Sequence, residues 1–392
     1  MVTKVAFLNG VKNSGITYLS YIKKILQKAP KNWEKTVFQW DQTRITREES
    51  SNFLKKPVFR LVDPYQLLNF DIVISNEAYI GRFLKKPRTI YIDHGNSPMP
   101  CTSNTYFAGW TAFWDFIITP SRSAIKLTGE GISYYRKKRL TGSIKQQEFT
   151  TRNSKLSFSN DLKRTTLCQI PPLRKITKYN VNNIPKLKNN INIGFLPTLC
   201  DAVHPELSIY SYLDKLIEPI LSEFPKSIVF FRPYPDDLNH PNISSVENYL
   251  NKFSNVVFEK KDEGSNNFFN KCDVLISDAS TGGISFLLDR CIPPIYWKPV
   301  DTKSHSMPTN SFYKMLKNKI FIAENTEQLI KYIHECKNLT SNQRLGYFNR
   351  YCNDELKIEN DICSILETLD INSKFNINKY PNIDSCGLLK LS

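Results

Sequence analysis

Short apolar runs and longer stretches of helical periodicity alternate along this chain, and the alternation occurs twice. In the first half, Val5–Leu8, Trp33–Trp40, Asp71–Ser75, Arg88–Ile92 and Phe116–Thr119 read as strands. Thr17–Leu26 is amphipathic with helical spacing, and a helical run follows Glu77 as far as Leu84. In the second half, 191–196, 227–231, 255–259, 273–277, 295–297 and 319–323 read as strands, with helices at 210–224, 284–290, 326–336 and 342–369. Apolar runs of four or five residues closed by polar loops are the pattern of strands buried on both faces. Strands alternating with helices imply parallel sheets, so the pattern predicts an α/β protein of two Rossmann-like, doubly wound domains. Between the two series the periodicity fails. Residues 151–190 are rich in Ser, Asn, Lys and Pro and read as a linker or mobile insertion. The expected division is 1–150 for the first domain, 151–190 for the connection, 191–370 for the second domain and 371–392 for a peripheral tail.

The most informative stretch runs from Lys271 to Trp297. A buried strand, Asp273–Ser277, is followed by the small and hydroxylated turn Asp278-Ala279-Ser280-Thr281-Gly282-Gly283, an apolar helix, Pro293-Pro294, and a further strand. A turn of this kind leaves backbone N–H groups at the positive end of a helix, where they suit a phosphate. The plainer reading is an ordinary strand-to-helix turn with a hydroxyl cap and glycines. Near the N-terminus, Gly10 and Gly15 have the spacing of a phosphate-binding loop, but Ile16 stands where that motif needs Lys, so a strand-to-helix turn is the better reading. The Arg88–Ile92 strand ends in Asp93-His94-Gly95-Asn96-Ser97-Pro98, a polar cluster where open α/β sheets place their ligands. There His94 is a candidate general base and Gly95 gives a ligand close access to the backbone. The aromatic run Tyr106–Ile118 reads as core before it reads as a face for a lipid-linked acceptor. Tyr134–Arg139 is a basic, aromatic stretch that reads as a solvated face, or alternatively as a surface for an anionic acceptor or membrane; a short β-like Arg139-Leu140 follows.

Composition narrows the partners. A net charge of +16 favours anionic ones: phosphorylated substrates, nucleic acid or an anionic membrane face. No helix-turn-helix, RNA-recognition or zinc-finger pattern is present, so nucleic acid is not the expected partner. The nine cysteines form no C-x-x-C pair, which argues against zinc and fits free thiols in a reducing cytoplasm. No stretch reaches the roughly 20 apolar residues of a membrane span, and the N-terminus has no secretory pattern. The expected location is cytoplasmic, with membrane contact only peripheral, on the inner face.

Four motifs, in this order, resemble the CDP-glycerol glycerophosphotransferase family, the teichoic-acid and capsule polymerases. Ile90-Tyr91-Ile92-Asp93-His94-Gly95 resembles the family's strand and His-Gly pair. Leu140-Thr141-Gly142-Ser143 is similar to its Thr-Gly-Ser turn, and Ile193–Thr198 to the strand that ends in Ala-Pro-Thr. Asp273–Asp289 is similar to the Asp-Val-Leu-Ile-Thr-Asp-Tyr-Ser-Ser signature, and the resemblance spans about residues 88–143 and 191–300. The chain departs from the family at Leu199-Cys200, where Trp-Arg is usual, at Tyr234, where the Arg-x-His-Pro motif has His, and at Ala279-Ser280-Thr281.

The resemblance implies a GT-B architecture, an N-terminal acceptor domain and a C-terminal nucleotide-donor domain facing a central cleft. It implies transfer of a glycerol-phosphate, alditol-phosphate or sugar-phosphate group from a CDP- or UDP-linked donor to a hydroxyl of a growing glycan or lipid-linked glycan. It assigns His94 as base with Asp93 beside it, and Thr198, Arg232, Tyr234, Asp278, Ser280, Thr281, Gly282 and Gly283 to donor phosphate or nucleotide. Gly10, Gly95 and Asn96 fall on the acceptor side. Arginine and the helix dipole supply the positive charge, so neither metal nor cofactor is expected. Two rivals share the fold: a GT-B glycosyltransferase moving only a sugar, and a UDP-sugar epimerase using cleft carboxylates such as Glu77, Asp93 and Glu206.

Overall fold

The apolar runs become two parallel sheets with the same winding. A computed structural model describes residues 2–10, 16–40, 45–93, 111–140, 150–151, 154–155, 165–170, 172, 176–187, 189–198, 208–260, 264–278, 280–298, 307–357 and 388–390. The first sheet contains β1 Thr3–Asn9, β2 Trp33–Gln39, β3 Val58–Arg60, β4 Ile72–Ser75, β5 Arg88–Ile92 and β6 Phe116–Thr119. Two short strands, β7 Thr150–Thr151 and β8 Ser154–Lys155, pair only with each other, and β9 Thr166–Gln169 joins the first sheet beside β6. The second sheet contains β10 Asn192–Leu196, β11 Ile228–Phe231, β12 Val256–Phe258, β13 Val274–Ser277, β14 Ile295–Trp297 and β15 Phe321–Ala323. The last strand, β16 Leu388–Lys390, pairs antiparallel with β9.

Spatial order in the second sheet is β12-β11-β10-β13-β14-β15, and every pair is parallel. In the first sheet it is β3-β2-β1-β4-β5-β6-β9-β16. Both therefore wind outward from a central pair, first one way and then the other. This is the doubly wound order, and it places a topological switch point between β1 and β4 in one sheet and between β10 and β13 in the other. Both sheets are of the doubly wound α/β type that the sequence pattern predicts.

Burial explains the sequence pattern. All four residues of β4, of β6 and of β13 are buried, so these strands carry no polar alternation. Two apolar layers cover the first sheet, one containing Val5, Phe7, Ile72 and Ile90, the other Ala6, Leu8, Val73 and Tyr91. The aromatic run proves to be core where it is described: Trp114 is fully buried, lies 5.7 Å from the Tyr91 ring, and donates its indole N–H to Ala78 O at 2.6 Å. Over the second sheet, helix Leu213–Glu223 contributes Leu213, Leu216, Ile217 and Ile220 at helical spacing. That helix contains Pro219, which cannot bond the carbonyl of Lys215. The Thr326 hydroxyl donates to that carbonyl at 3.2 Å, in place of the missing backbone N–H.

The chain divides into Met1–Lys175 with Leu356–Ser392, and Ile176–Glu355. This differs from the sequence division in two places. The segment expected to be a linker contains β9, because Leu167-Cys168-Gln169 is a buried run that pairs with β6. Residues 176–187 are fastened to the second unit: the Tyr179 hydroxyl donates to Asp289 O, its ring packs edge-on against Phe348, and Arg344 Nη1 donates to Pro185 O at 2.7 Å. The expected peripheral tail returns to the first sheet through β16. Arg139-Leu140 ends the helix Arg122–Leu140 and is not extended. The predicted 342–369 helix is Ser341–Tyr351 with a wider turn at Cys352–Leu356; 358–369 lie outside the described residues.

Gly194 shows how closely the central strand is packed. A Cβ there would meet Cys272 Sγ at 2.5 Å, Leu275 Cδ1 at 3.1 Å and Phe268 Cζ at 3.2 Å. Gly194→Ala is expected to cost about 1–3 kcal/mol by overpacking, read as a lowered denaturant midpoint with unchanged slope.

Candidate functional site

At the second switch point β10 and β13 lie side by side, and Asp278 directly follows the end of β13. Its side chain is fully buried. Oδ1 accepts the Thr198 N–H at 2.8 Å and Oδ2 accepts the Ile209 N–H at 2.9 Å. The Ser208 hydroxyl also bonds this carboxylate, while its oxygen accepts the Tyr210 N–H at 3.4 Å and caps the helical turn Ile209–Tyr212. The Tyr210 hydroxyl donates to Asp237 Oδ2 at 3.0 Å and accepts the Tyr234 N–H at 3.3 Å. One chain of hydrogen bonds thus joins the loops that follow β10, β11 and β13. Burial raises the Asp278 pKa to about 7, and the amide and hydroxyl bonds pull it the other way.

The turn after Asp278 is built from its own groups. Ser277 Oγ donates to Leu196 O at 2.8 Å and lies 3.1 Å from Ser280 Oγ. Ser280 Oγ in turn accepts the Gly282 N–H at 3.1 Å. The Tyr296 hydroxyl donates to Ser280 O at 2.8 Å and accepts the Ile284 N–H. Helix Gly282–Arg290 begins here, with Thr281 at its cap position and no side-chain capping bond. Both glycines are packing residues as well: a Cβ on Gly283 would meet the Tyr296 ring at 2.7 Å, and one on Gly282 would meet Leu196 Cδ2 at 2.4 Å. The turn is therefore rigid, half-exposed at Ser280, Thr281 and Gly282, and faces the switch point with the positive end of a nine-residue helix.

The structure brings Thr198, Asp278, Ser280, Thr281, Gly282 and Gly283 to one rim. Arg232 follows β11; it is 8 % exposed, and its guanidinium lies 5.9 Å from the centre of the Phe268 ring. Tyr234 is exposed, so at this position the chain offers an aromatic ring on the surface. Ser208, Tyr210, Asp237, Ser277 and Tyr296 hold the site together and were not singled out in the sequence. Ser277 ends β13, Ser208, Tyr210 and Asp237 lie in the connections that follow β10 and β11, and Tyr296 is the middle residue of the neighbouring β14.

In the first sheet the corresponding switch point gathers Asn9 and Gly10 from the end of β1 with Asn76 and Glu77 from the end of β4. Asn9 and Asn76 are buried; Asn76 Nδ2 donates to Asn9 Oδ1 at 3.3 Å and its Oδ1 accepts the Gly10 N–H at 3.1 Å. A Cβ on Gly10 would meet Glu77 Cβ at 2.8 Å, so a glycine lets the two strand ends close up. Asp93, at the end of β5, is buried and accepts the Thr119 hydroxyl at 3.3 Å. His94, Gly95, Asn96 and Glu206 lie outside the described residues.

Two α/β units, each with its polar strand ends collected at a switch point, define the class to which this fold belongs. No protein-family profile matches the chain, and no curated protein matches it in sequence. Among solved structures it is similar to Anabaena HepE in complex with UDP and glucose, with 11% identity and a TM-score of 0.53 over 94% of this chain and 98% of that one. It is similar to the Methanocaldococcus jannaschii UDP-GlcNAc 2-epimerase in complex with UDP-GlcNAc and UDP, at 12% identity and TM-score 0.50, covering 89% of this chain and 99% of that chain. The wall teichoic acid polymerase TagF aligns at 13% identity over 94% of this chain and 86% of its own, with a TM-score of 0.45, too low to carry an argument. At these identities the likenesses establish the fold.

Two outcomes test the site as a built unit. Because the folded-state pKa of Asp278 lies above its ordinary value of 3.8, the folded chain holds the extra proton between about pH 4 and about pH 7. Stability contributed by the protonated group is full below that window and is lost as pH rises through it. Melting curves should show wild type losing stability relative to Asp278→Asn across this range. Tyr296→Phe removes the anchor of Ser280 O and Ile284 N–H, and should cost about 1–3 kcal/mol in chemical denaturation.

Proposed function

We propose that the chain is a transferase that moves a glycerol-phosphate, alditol-phosphate or sugar-phosphate group from a nucleotide-activated donor to a hydroxyl of a growing cell-surface glycan. The observation that carries this reading is the rim at the second switch point, where a rigid hydroxyl- and glycine-rich turn opens a helix beside the Thr198 loop. Such a rim suits the diphosphate of a nucleotide-linked donor. HepE and the archaeal epimerase, both crystallised with UDP-containing ligands, support a nucleotide as the donor's handle.

In this reaction the His94 imidazole takes the proton of the acceptor hydroxyl. The oxygen attacks the donor phosphorus that bears the alditol, a phosphodiester bond forms, the phosphoanhydride bond breaks, and a nucleoside monophosphate leaves. Thr281 and the helix start hold the donor phosphates. Arg232, a buried cation behind the strand ends, offsets their charge. Asp278 acts through others: with both oxygens occupied by backbone amides, it positions the loops and does not touch substrate. Asp93, buried at the end of β5, directly precedes His94 in the chain, and Gly10, Gly95 and Asn96 are assigned to the acceptor, a glycan or lipid-linked glycan.

The second reading is a GT-B glycosyltransferase in which the acceptor oxygen attacks the anomeric carbon of a nucleotide sugar and the nucleoside diphosphate leaves. It is favoured by the UDP and glucose of the HepE complex. The bond formed separates the two, since a phosphodiester contains phosphorus and a glycoside does not. A melting screen of CDP- and UDP-linked donors should find one that raises the melting temperature by mass action. With that donor, His94→Ala should lower turnover by about 100-fold or more without changing the melting temperature. Turnover near the wild-type rate would remove His94 from the mechanism.

A further inference from the structure

Three consecutive residues of the connection after β10 bond to two different strand ends. The Ile209 N–H and the Ser208 hydroxyl are engaged by Asp278, which follows β13. The Tyr210 hydroxyl reaches the connection after β11, where it donates to Asp237 Oδ2 at 3.0 Å and accepts the Tyr234 N–H at 3.3 Å. β11 and β13 are not neighbours in the sheet, because β10 lies between them. Residues 208–210 therefore brace the two flanking connections against each other across the end of β10.

Both ends of the brace are fixed. The Tyr210 ring meets the Phe231 ring at 60° with centroids 5.7 Å apart. Phe231 is fully buried and stacks on Phe195 of β10 and Phe258 of β12, at 6.2 Å and 6.0 Å. The partner of the hydroxyl is equally constrained. Asp237 is buried, its N–H donates to Tyr234 O at 2.9 Å, and its carbonyl accepts the His240 N–H at 2.8 Å. Tyr234–His240 is thus one compact turn around the helical residues Pro235–Asn239. A buried carboxylate holds its donors tightly, since losing one leaves charge without compensation.

Arg232 lies between these fixed points. It directly follows β11, and its N–H donates to Phe195 O at 3.0 Å. Two residues later the Tyr234 N–H is held by Tyr210, so Arg232 is fastened on both sides. Across β10 stands the turn Ser280–Gly283, itself tied to Asp278 and β14. A diphosphate that uses a cation from one connection and a helix start from the other needs their separation set before it arrives.

On the transferase reading, and as a part of it, we propose that Tyr210 is a positioning residue for the donor diphosphate. Its hydroxyl holds the connection that carries Arg232 at a fixed separation from the turn that opens helix Gly282–Arg290. Tyr210 acts through Tyr234 and Asp237 and does not itself touch substrate.

The test is calorimetric titration of the full chain with CDP, UDP and inorganic pyrophosphate, well below the melting transition. Tyr210→Phe keeps the ring against Phe231 and removes both bonds of the hydroxyl. It should weaken the better-bound nucleotide and pyrophosphate alike by about tenfold, the worth of a hydrogen bond to a charged group. Amide exchange in the peptide 232–240 should quicken in the same variant. Asp237→Asn, which keeps an acceptor for the hydroxyl, should retain most of the affinity that Asp237→Ala loses, and this pair gives the comparison if Tyr210→Phe does not fold. Wild-type binding that Tyr210→Phe leaves unchanged overturns this proposal alone. So does a loss for the nucleotide with none for pyrophosphate, or a loss without faster exchange at 232–240. A wild-type chain that binds none of the three probes removes the donor reading, and this proposal with it.

Discussion

A carboxylate buried without water must be neutralised or surrounded by donors, and Asp278 is surrounded. Its two oxygens take the amides of Thr198 and Ile209, one near each end of the connection that follows β10. The bonds pass on through Ser208 and Tyr210 to Asp237 and Tyr234, so the loops following three adjacent strands share one support. The rim of the second sheet is rigid because of this arrangement. A rim set in advance can hold a diphosphate without the entropic cost of ordering loops at each binding event.

The turn that follows uses small residues for two reasons at once. Gly283 lets the Tyr296 ring lie against the helix start, and the Tyr296 hydroxyl then ties Ser280 O to Ile284 N–H. Gly282 admits Leu196 and is held by Ser280 Oγ. Read alone, glycines at this helix start fit either an ordinary turn or close approach of a ligand. Here they are required by the packing of strand against helix, since Leu196 and Tyr296 fill the space that their missing side chains leave. The first sheet repeats the device at Gly10, where the absent Cβ admits Glu77 beside the Asn9–Asn76 pair.

Much of the fold was legible because buried parallel strands are written as unbroken apolar runs: Asp71–Ser75, Ile191–Leu196 and Asp273–Ser277 all correspond to strands. β3 and β9 were not. Val58–Arg60 is a three-residue edge strand with two exposed residues, and Thr166–Gln169 sits in a stretch whose polar composition hides it. The tail strand β16 was hidden for the same reason. At the site, the turn at Asp278 could be read from residue type and order, but the role of Asp278 could not. A carboxylate before a glycine-rich turn looks like a ligand group until both its oxygens are seen to be occupied by amides eighty and sixty-nine residues away. Ser208, Tyr210 and Asp237 act through pairings distant in sequence, which no local pattern reveals.

Hydrogen–deuterium exchange with and without saturating nucleoside diphosphate tests the central claim most directly. The account predicts that a bound diphosphate slows exchange in peptides spanning residues 194–198, 208–212 and 277–288 together, since one network supports them all. Protection confined to other parts of the chain, with these three peptides unchanged, would contradict it.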